Sequence, residues 1–432
     1  MLIPRVLTNS SNGSRFRNLD YLKVTIFGFG LTALGQSFHT IILPARLLDL
    51  VSESQKNTYL ALLTFSGLIL AMLVQPVAGM ISDHSGFGWG RRRPFILLGT
   101  VLVILLLTGI GSATSYVAIF TIWCLIQVSA NTAQGPYQAL IPDLVPASKH
   151  GRASGVKVLL EVLGMVALIY PIGLLVNNYQ ARQEGAGLWL ALAVLAAVLL
   201  GTMLATVLAV KERPGIGRYR LLSLSTLYRS FTIDVRKNRP FIWFLVSRLL
   251  IFMALTTVQQ FAYYFLQDVV GDADPSAVTA RFTIVVALCM IAAAYPTAYL
   301  SDRLGRRPVL VASGLLGALG ILLILFLYSY GITVITVCGG LIGMAGGAFL
   351  STNWALAVDL VPQGEEAKYL GLTNLATAGG AALARYIGPV IDFFNLRSFG
   401  LGYQVMFLAC FIYFVAGSLL LLKIKNQTRL TQ

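Results

Sequence analysis

Long runs of apolar residues, separated by short polar stretches, recur along the whole chain. Runs of about 20 apolar residues match the length of a membrane-spanning helix. The pattern predicts twelve, at 21–44, 57–81, 94–113, 116–140, 151–176, 187–210, 240–267, 277–300, 308–328, 331–357, 368–392 and 402–422. The runs are continuous and not ten-residue alternations, which argues against an outer-membrane barrel. One longer basic stretch interrupts the series. It divides the chain into a six-helix half at 1–210, a linker at 211–239 and a second six-helix half at 240–432.

Composition sharpens this reading. Of 432 residues, 57% are hydrophobic and 11% charged, and mean hydropathy is +0.77. These values exclude a water-soluble enzyme, a disordered chain and a disulfide scaffold. The net charge of +15 would suit nucleic acid, but its placement does not. With both termini on one side, 24 of the 32 Lys and Arg fall on that side. This is the positive-inside pattern, so both termini are expected in the cytoplasm of a multi-pass cell (inner) membrane protein, with no nucleic-acid partner. Residues 1–20 lack a cleavable signal-peptide pattern. Cys124, Cys289, Cys338 and Cys410 all lie within spans and form no CxxC pair, and the three histidines are scattered. No metal, disulfide or cofactor is expected, and no nucleophile–base pair or phosphate loop suggests an enzyme.

An internal repeat organises the chain. Asp143-Leu-Val-Pro146 recurs as Asp359-Leu-Val-Pro362, an offset of 216 residues. Ser82-Asp83 recurs as Ser301-Asp302 at 219, and Arg92-Arg93-Pro94 as Arg306-Arg307-Pro308 at 214. Three matches in one order imply two parallel six-helix repeats.

The loops after spans two and eight read Gly79-Met-Ile-Ser-Asp83 followed by Arg91, Arg92 and Arg93, and Ser301-Asp302-Arg303-Leu-Gly305-Arg306-Arg307-Pro308. They resemble motif A of the major facilitator superfamily. The resemblance implies twelve transmembrane helices in two pseudo-symmetric bundles. It also implies a cytoplasmic latch built from Gly79, Asp83, Arg91, Arg92, Asp302, Arg303, Arg306 and Arg307. Gly90-Arg-Arg-Arg-Pro-Phe-Ile96, Asn131-Thr-Ala-Gln134-Gly135-Pro136-Tyr-Gln138-Ala-Leu140 and Phe261-Ala-Tyr263-Tyr264-Phe265 are similar to segments of sucrose transporters and related glycoside–pentoside–hexuronide:cation symporters. The chain departs from that branch at Gln127, where the family carries an Asp, at Gln138, where it carries an Arg, and at His84, where it carries a basic residue. A proton-coupling role at position 127 is therefore not implied.

Polar positions within the spans mark a candidate pathway. Gln127, Asn131, Gln134 and Gln138 are spaced 4, 3 and 4, one stripe on a helix. Amides both donate and accept, which suits hydroxylated solutes or helix–helix bonding. Glu161, in mid-span with Lys157 one turn earlier, is either a proton carrier or half of an ion pair. His39 lies near the outer end of the first span, as a pathway or an interfacial residue. Arg248 and Arg385, in spans seven and eleven, would clamp an anion, pair with an acid or snorkel. Gln259 and Tyr263 share a face with Arg248, and Asn353-Trp354 matches Tyr137-Gln138 by the repeat offset. The expectation is an alternating-access carrier, a monomer in the lipid bilayer. It would move a small polar solute, a sugar or glycoside, with a proton or sodium ion. The alternatives are a proton-driven drug exporter and a non-transporting scaffold.

Overall fold

The computed structural model describes residues 18–146, 149–182, 185–212, 238–271, 274–360 and 366–424. The linker expected at 211–239 lies almost wholly outside the described residues. Among them there is no β-strand. The first half comprises α1 (Leu19–Leu48), α2 (Lys56–Asp83), α3 (Arg93–Ser112), α4 (Tyr116–Leu144), α5 (His150–Arg182) and α6 (Ala186–Ala209). The second comprises α7 (Arg239–Phe265), α8 (Pro275–Leu304), α9 (Arg306–Leu327), α10 (Ile332–Leu360), α11 and α12 (Leu401–Leu421). Prolines open α3, α7 and α8 in the first turn, where a missing N–H breaks no helical bond.

Among the described residues eleven helices are long and apolar enough to cross a membrane. The span expected at 368–392 is not one helix. α11 runs as Glu366–Leu383, a 3-10 turn at Ala384–Tyr386, and a second piece at Ile387–Asn395. Pro389 explains the break: it has no N–H to give the carbonyl four residues back, at Arg385. Other helices run past their expected ends. α4 continues to Leu144 and α5 to Arg182, because the hydrophobic run marks only the hydrocarbon-buried part of a helix.

The same five pairings recur in each half. α1 packs on α5 and α6, α2 on α4, and α3 on α4 and α6, while α7 packs on α11 and α12, α8 on α10, and α9 on α10 and α12. Small residues set how closely these helices approach. A Cβ on Gly343 or Gly347 of α10 would collide with the α8 carbonyls of Val286 and Met290. A Cβ on Gly135 of α4 would meet the Gln75 carbonyl of α2.

The halves meet through α5 against α8 and α2 against the second piece of α11. Polar bonds between them gather at the face away from the motif loops. Lys56 Nζ lies 2.6 Å from Asp268, Asn177 donates to Asp274 at 2.6 Å, and Tyr264 Oη donates to the Pro44 carbonyl at 3.0 Å. Asp392, on the second piece of α11, accepts from the first turn of α2. Its donors are Asn57 N–H at 3.4 Å, Asn57 Nδ2 at 2.8 Å, Thr58 N–H at 2.7 Å and Thr58 Oγ1 at 2.6 Å. Gln55, which precedes α2, supplies no side-chain cap, so the other half caps this helix. This sealed side is called here the opposite face, and the side with the motif loops the basic face.

Candidate functional site

The three repeated sequence motifs of each half converge on one arginine at the basic face. In the first half Arg92 pairs with Asp83 at the end of α2 and with Asp143 at the end of α4, the latter at 3.0 Å. It also donates to Ser82 Oγ at 2.5 Å and the Gly79 carbonyl at 3.0 Å. Arg91 holds the other Asp143 oxygen at 2.6 Å. In the second half Arg306 pairs with Asp302, donates to Ser301 at 2.7 Å and lies 3.5 Å from Asp359. Asp143 and Asp359, absent from the expected latch residues, are central to these clusters, and the shared repeat offset is the signal that carried them.

Other expected latch residues sit differently. A Cβ on Gly79 would itself meet open space, so the backbone of Gly79, which faces Gly135 and accepts from Arg92, is what the cluster uses. Arg303 lies over the Tyr299 ring, 4.5 Å from its centroid, and Arg307 donates to the Leu422 carbonyl. Glu212, just past α6, accepts the Arg92 backbone N–H at 2.8 Å. Burial pushes its carboxyl above the ordinary glutamate range, against the backbone N–H groups of Arg92 and Arg91 that favour the charged form. Nothing in the sequence pattern points to Glu212 as a partner of this loop.

Deeper in the first half, α1, α4 and α5 meet at Gly28. Tyr137 is buried, donates to the Thr25 carbonyl at 2.8 Å and accepts the Gly28 N–H at 3.1 Å. Glu161 approaches the same point, since a Cβ on Gly28 would lie 3.0 Å from its Cγ. Lys157 lies 3.5 Å from Glu161 and 5.7 Å from the Tyr137 ring centre. Glu161 is thus ion-paired, and the pair is partly open, with side chains 22% and 30% exposed.

The amide stripe of α4 divides. Asn131 is buried and donates to the Gln127 carbonyl at 2.8 Å, within its own helix. Gln127 packs with Trp123 against Gly67 of α2. Gln134 is partly buried, and Gln138 is exposed. His39 lies on a π turn of α1 (Phe38–Ile42), bonded to the Gly35 carbonyl at 2.8 Å, with its ring edge-on to Trp123 at 5.1 Å.

In the second half Arg248 ties three helices together. Its Nε donates to Thr377 of α11 at 2.8 Å and its Nη1 to Asn353 of α10. The guanidinium lies over Phe252 and Trp354, 5.1 and 5.9 Å from their centroids. Arg385, on the α11 break, does not snorkel: it is 7% exposed and donates to the Ala381 carbonyl. Tyr263 does not face an open path either. It is 1% exposed and bonded to Ser276 of α8 at 3.1 Å.

A cavity of about 270 Å³ lies between α7, α8 and α10, and Gln259 is the one expected binding residue in its lining; Arg248, Arg385, Tyr263 and Asn353 lie outside it. Phe252, Thr256 and Gln259 of α7 form one wall, Phe282 of α8 another, and Gln36 and Met165 of the first half close it. Gln259 Nε2 donates to Gln36 Oε1 at 3.3 Å, an amide bridge between the halves. Gln36 was not singled out in the sequence, although it stands beside Ser37 and one turn before His39.

A family model described as "MFS/sugar transport protein" matches residues 26–423. Sucrose transport protein SUT1 of Oryza sativa subsp. japonica is 35% identical over 108 residues, which cover 20% of this chain and 20% of that protein. The glucuronide carrier protein homolog of Escherichia coli (strain K12) is 22% identical over 308 residues, 67% of this chain and 63% of the relative. The chain thus spans less than two thirds of these relatives' lengths. Among solved structures, nucleoside transporter NupG superposes with a TM-score of 0.73 at 16% identity, covering 94% of this chain and 99% of that one. The D-xylose-proton symporter superposes with a TM-score of 0.70 at 16% identity, covering 96% and 99%. These likenesses establish the shared fold.

Proposed function

The chain belongs to the MFS/sugar transport family, and it is an integral, multi-pass membrane transporter and not an enzyme; on that premise we propose that it carries a sugar or glycoside, driven by a proton or sodium gradient. The observation that carries this reading is the amide bridge between Gln36 and Gln259 at the wall of the cavity. Each amide donates and accepts, so a solute hydroxyl can replace one amide partner with the other. Phe252 and Phe282 on the same walls offer ring faces for the apolar side of a pyranose. Because one amide comes from each half, a solute bonded to both favours the halves closing round it.

In this reading the basic face is cytoplasmic, by the bias of Lys and Arg toward it. The sealed opposite face then makes this the conformation closed to the outside of the cell membrane, in a carrier that works as a monomer of two six-helix bundles joined by 211–239. The Lys157–Glu161 pair is the coupling site. It is partly open, and protonation of Glu161 would release Lys157 and uncouple α5 from the Tyr137–Gly28 junction. Proteoliposomes with an imposed inward proton gradient test this directly. A sugar or glycoside should acidify the lumen, and Glu161→Gln should abolish accumulation while sparing counterflow exchange. Acidification with no sugar or glycoside, together with Glu161→Gln behaving as wild type, would sink the reading.

A further inference from the structure

Two carboxylates close the opposite face, and they are held in different ways. Asp268, just past α7, is fixed by a cation. Lys56 Nζ lies 2.6 Å from one of its oxygens, and Tyr403 of α12 donates to the other at 2.7 Å. Asp392, on the second piece of α11, is buried and pairs with no Lys or Arg among the described residues. Its charge is met by neutral donors of α2 instead: the N–H and Nδ2 of Asn57, and the N–H and Oγ1 of Thr58.

The charged and titratable groups around Asp392 are committed elsewhere. The second piece of α11 packs on α2, on α12 and on the 3-10 turn Glu53–Gln55. A Cβ on its Gly388 would meet the Asn57 carbonyl at 2.5 Å, so it touches α2 through backbone. From α2 comes Lys56, held by Asp268 and lying 5.0 Å from the centre of the Tyr264 ring. From α12 comes Tyr403, whose hydroxyl also goes to Asp268, and from the turn comes Glu53, which is exposed. Tyr264 of α7 donates to the Pro44 carbonyl. Arg397 lies over the rings of Phe393 and Phe394, 4.4 and 5.8 Å from their centres.

Hydrogen bonds to the ionised form of a carboxyl favour that form, and burial disfavours it. Here the donors are supplied by a docked α2. Proton binding at Asp392 and docking of α2 are therefore linked, with opposite signs. A proton turns one carboxyl oxygen into a donor, and the N–H groups it faces cannot accept. One buried acceptor stands beside it, since Asn57 Oδ1 has no partner among the described residues. The neutral acid reaches that oxygen by turning the amide, which gives up the Asn57 Nδ2 bond. The bonds that remain lose their charge assistance.

We propose that Asp392 is a proton-binding site of the opposite face: ionised, it clamps α2 to the second piece of α11, and protonated, it lets that face open. The inference needs neither the sugar reading nor the Lys157–Glu161 pair. Closure is favoured at higher pH and weakens as pH falls, because the undocked state binds the proton more readily. With this face outward, an acid exterior opens the carrier toward it.

Spin labels on full-length protein in lipid nanodiscs test this. The labels sit at Ser52→Cys and Ser398→Cys, with the native cysteines replaced by Ala, and report the ratio of open to closed distances. From about pH 8 to about pH 5 that ratio should rise at least about tenfold, one linked proton allowing at most about tenfold per unit. Asp392→Asn should bring the rise to about onefold, that is, no pH response. Thr58→Val removes a donor to the carboxylate and should make the rise smaller. Tyr264→Phe removes the bond to Pro44 and serves as the contrast. It should favour the open form alike at every pH and leave the rise unchanged. Glu161→Gln should also leave it unchanged, which separates this site from the coupling pair. A ratio that ignores pH in the wild type would overturn the proposal. A rise that survives Asp392→Asn, or one that vanishes in Glu161→Gln, would do the same. Should Asp392→Asn fail to fold, Thr58→Val decides: a rise equal to wild type overturns the site.

Discussion

The two arginine clusters of the basic face use the same three pieces of sequence but differ in depth. Arg92 is 4% exposed and spans two carboxylates, a hydroxyl and a carbonyl, with Arg91 and Glu212 completing the cluster. Arg306 is 24% exposed, and its Asp302 partner is 63% exposed. A guanidinium enclosed by carboxylates in low dielectric loses far more when one partner is removed than one already in water, where the pair is screened. Identical motifs therefore do not carry identical energies, and the first half is the better secured of the two at the basic face.

The sharpest test of that difference is Arg92→Ala beside Arg306→Ala in one thermal-unfolding series. Arg92→Ala should cost roughly 3–5 kcal/mol, the range for stripping one partner from a buried ion cluster. Arg306→Ala should cost about 1 kcal/mol or less, as an exposed pair does. Equal losses would erase the distinction. Asp392→Ala extends the comparison to the opposite face. It removes the cap that the second half supplies to α2, and about 2–3 kcal/mol of stability is expected to go with it. Spin labels at positions 52 and 398 should also report a longer distance across that face. An unchanged distance would show that Asp392 packs the interface without holding it shut.

The smallest effect is expected at Glu212. Its carboxyl is raised by burial, so folding favours the protonated form. The stability this group contributes is present at acid pH and falls away as pH rises through the raised value. Glu212→Gln keeps an acceptor for the Arg92 N–H and removes the buried charge. It should match wild type at acid pH and equal or slightly exceed it above neutrality, by tenths of a kcal/mol. A variant markedly weaker at high pH would mean that the charge itself secures the loop.

Much of this was legible in the chain. The apolar runs marked twelve spans, eleven of which are single long apolar helices among the described residues, and the offsets near 216 residues marked two halves. Local strings also placed Asp83 and Arg92 together, because a helix end and a short loop leave them little choice. Long-range partners were not legible. Asp143 had a repeat but no stated role until α4 brought it to Arg92, and Glu212 reached the same loop from 120 residues away. Tyr263 shared a helical face with Arg248, yet that face turns into the packing against α8. Helical arithmetic orders positions around a cylinder but cannot tell which side faces a neighbour.

By itself the sequence determined the membrane class, the twelvefold hydrophobic pattern, the parallel repeat and the residue types present within the spans. Those follow from transfer of side chains out of water and from short-range chain geometry, which depend on composition and spacing alone. The tertiary structure decided which polar groups found partners. It closed one face through Lys56, Asp268 and Asp392, turned Arg248 into a strut and left the Nε of Arg385 without an acceptor. Hydrogen bonds act over about 3 Å and demand direction, so only the relative placement of helices settles which donors meet acceptors and which do not.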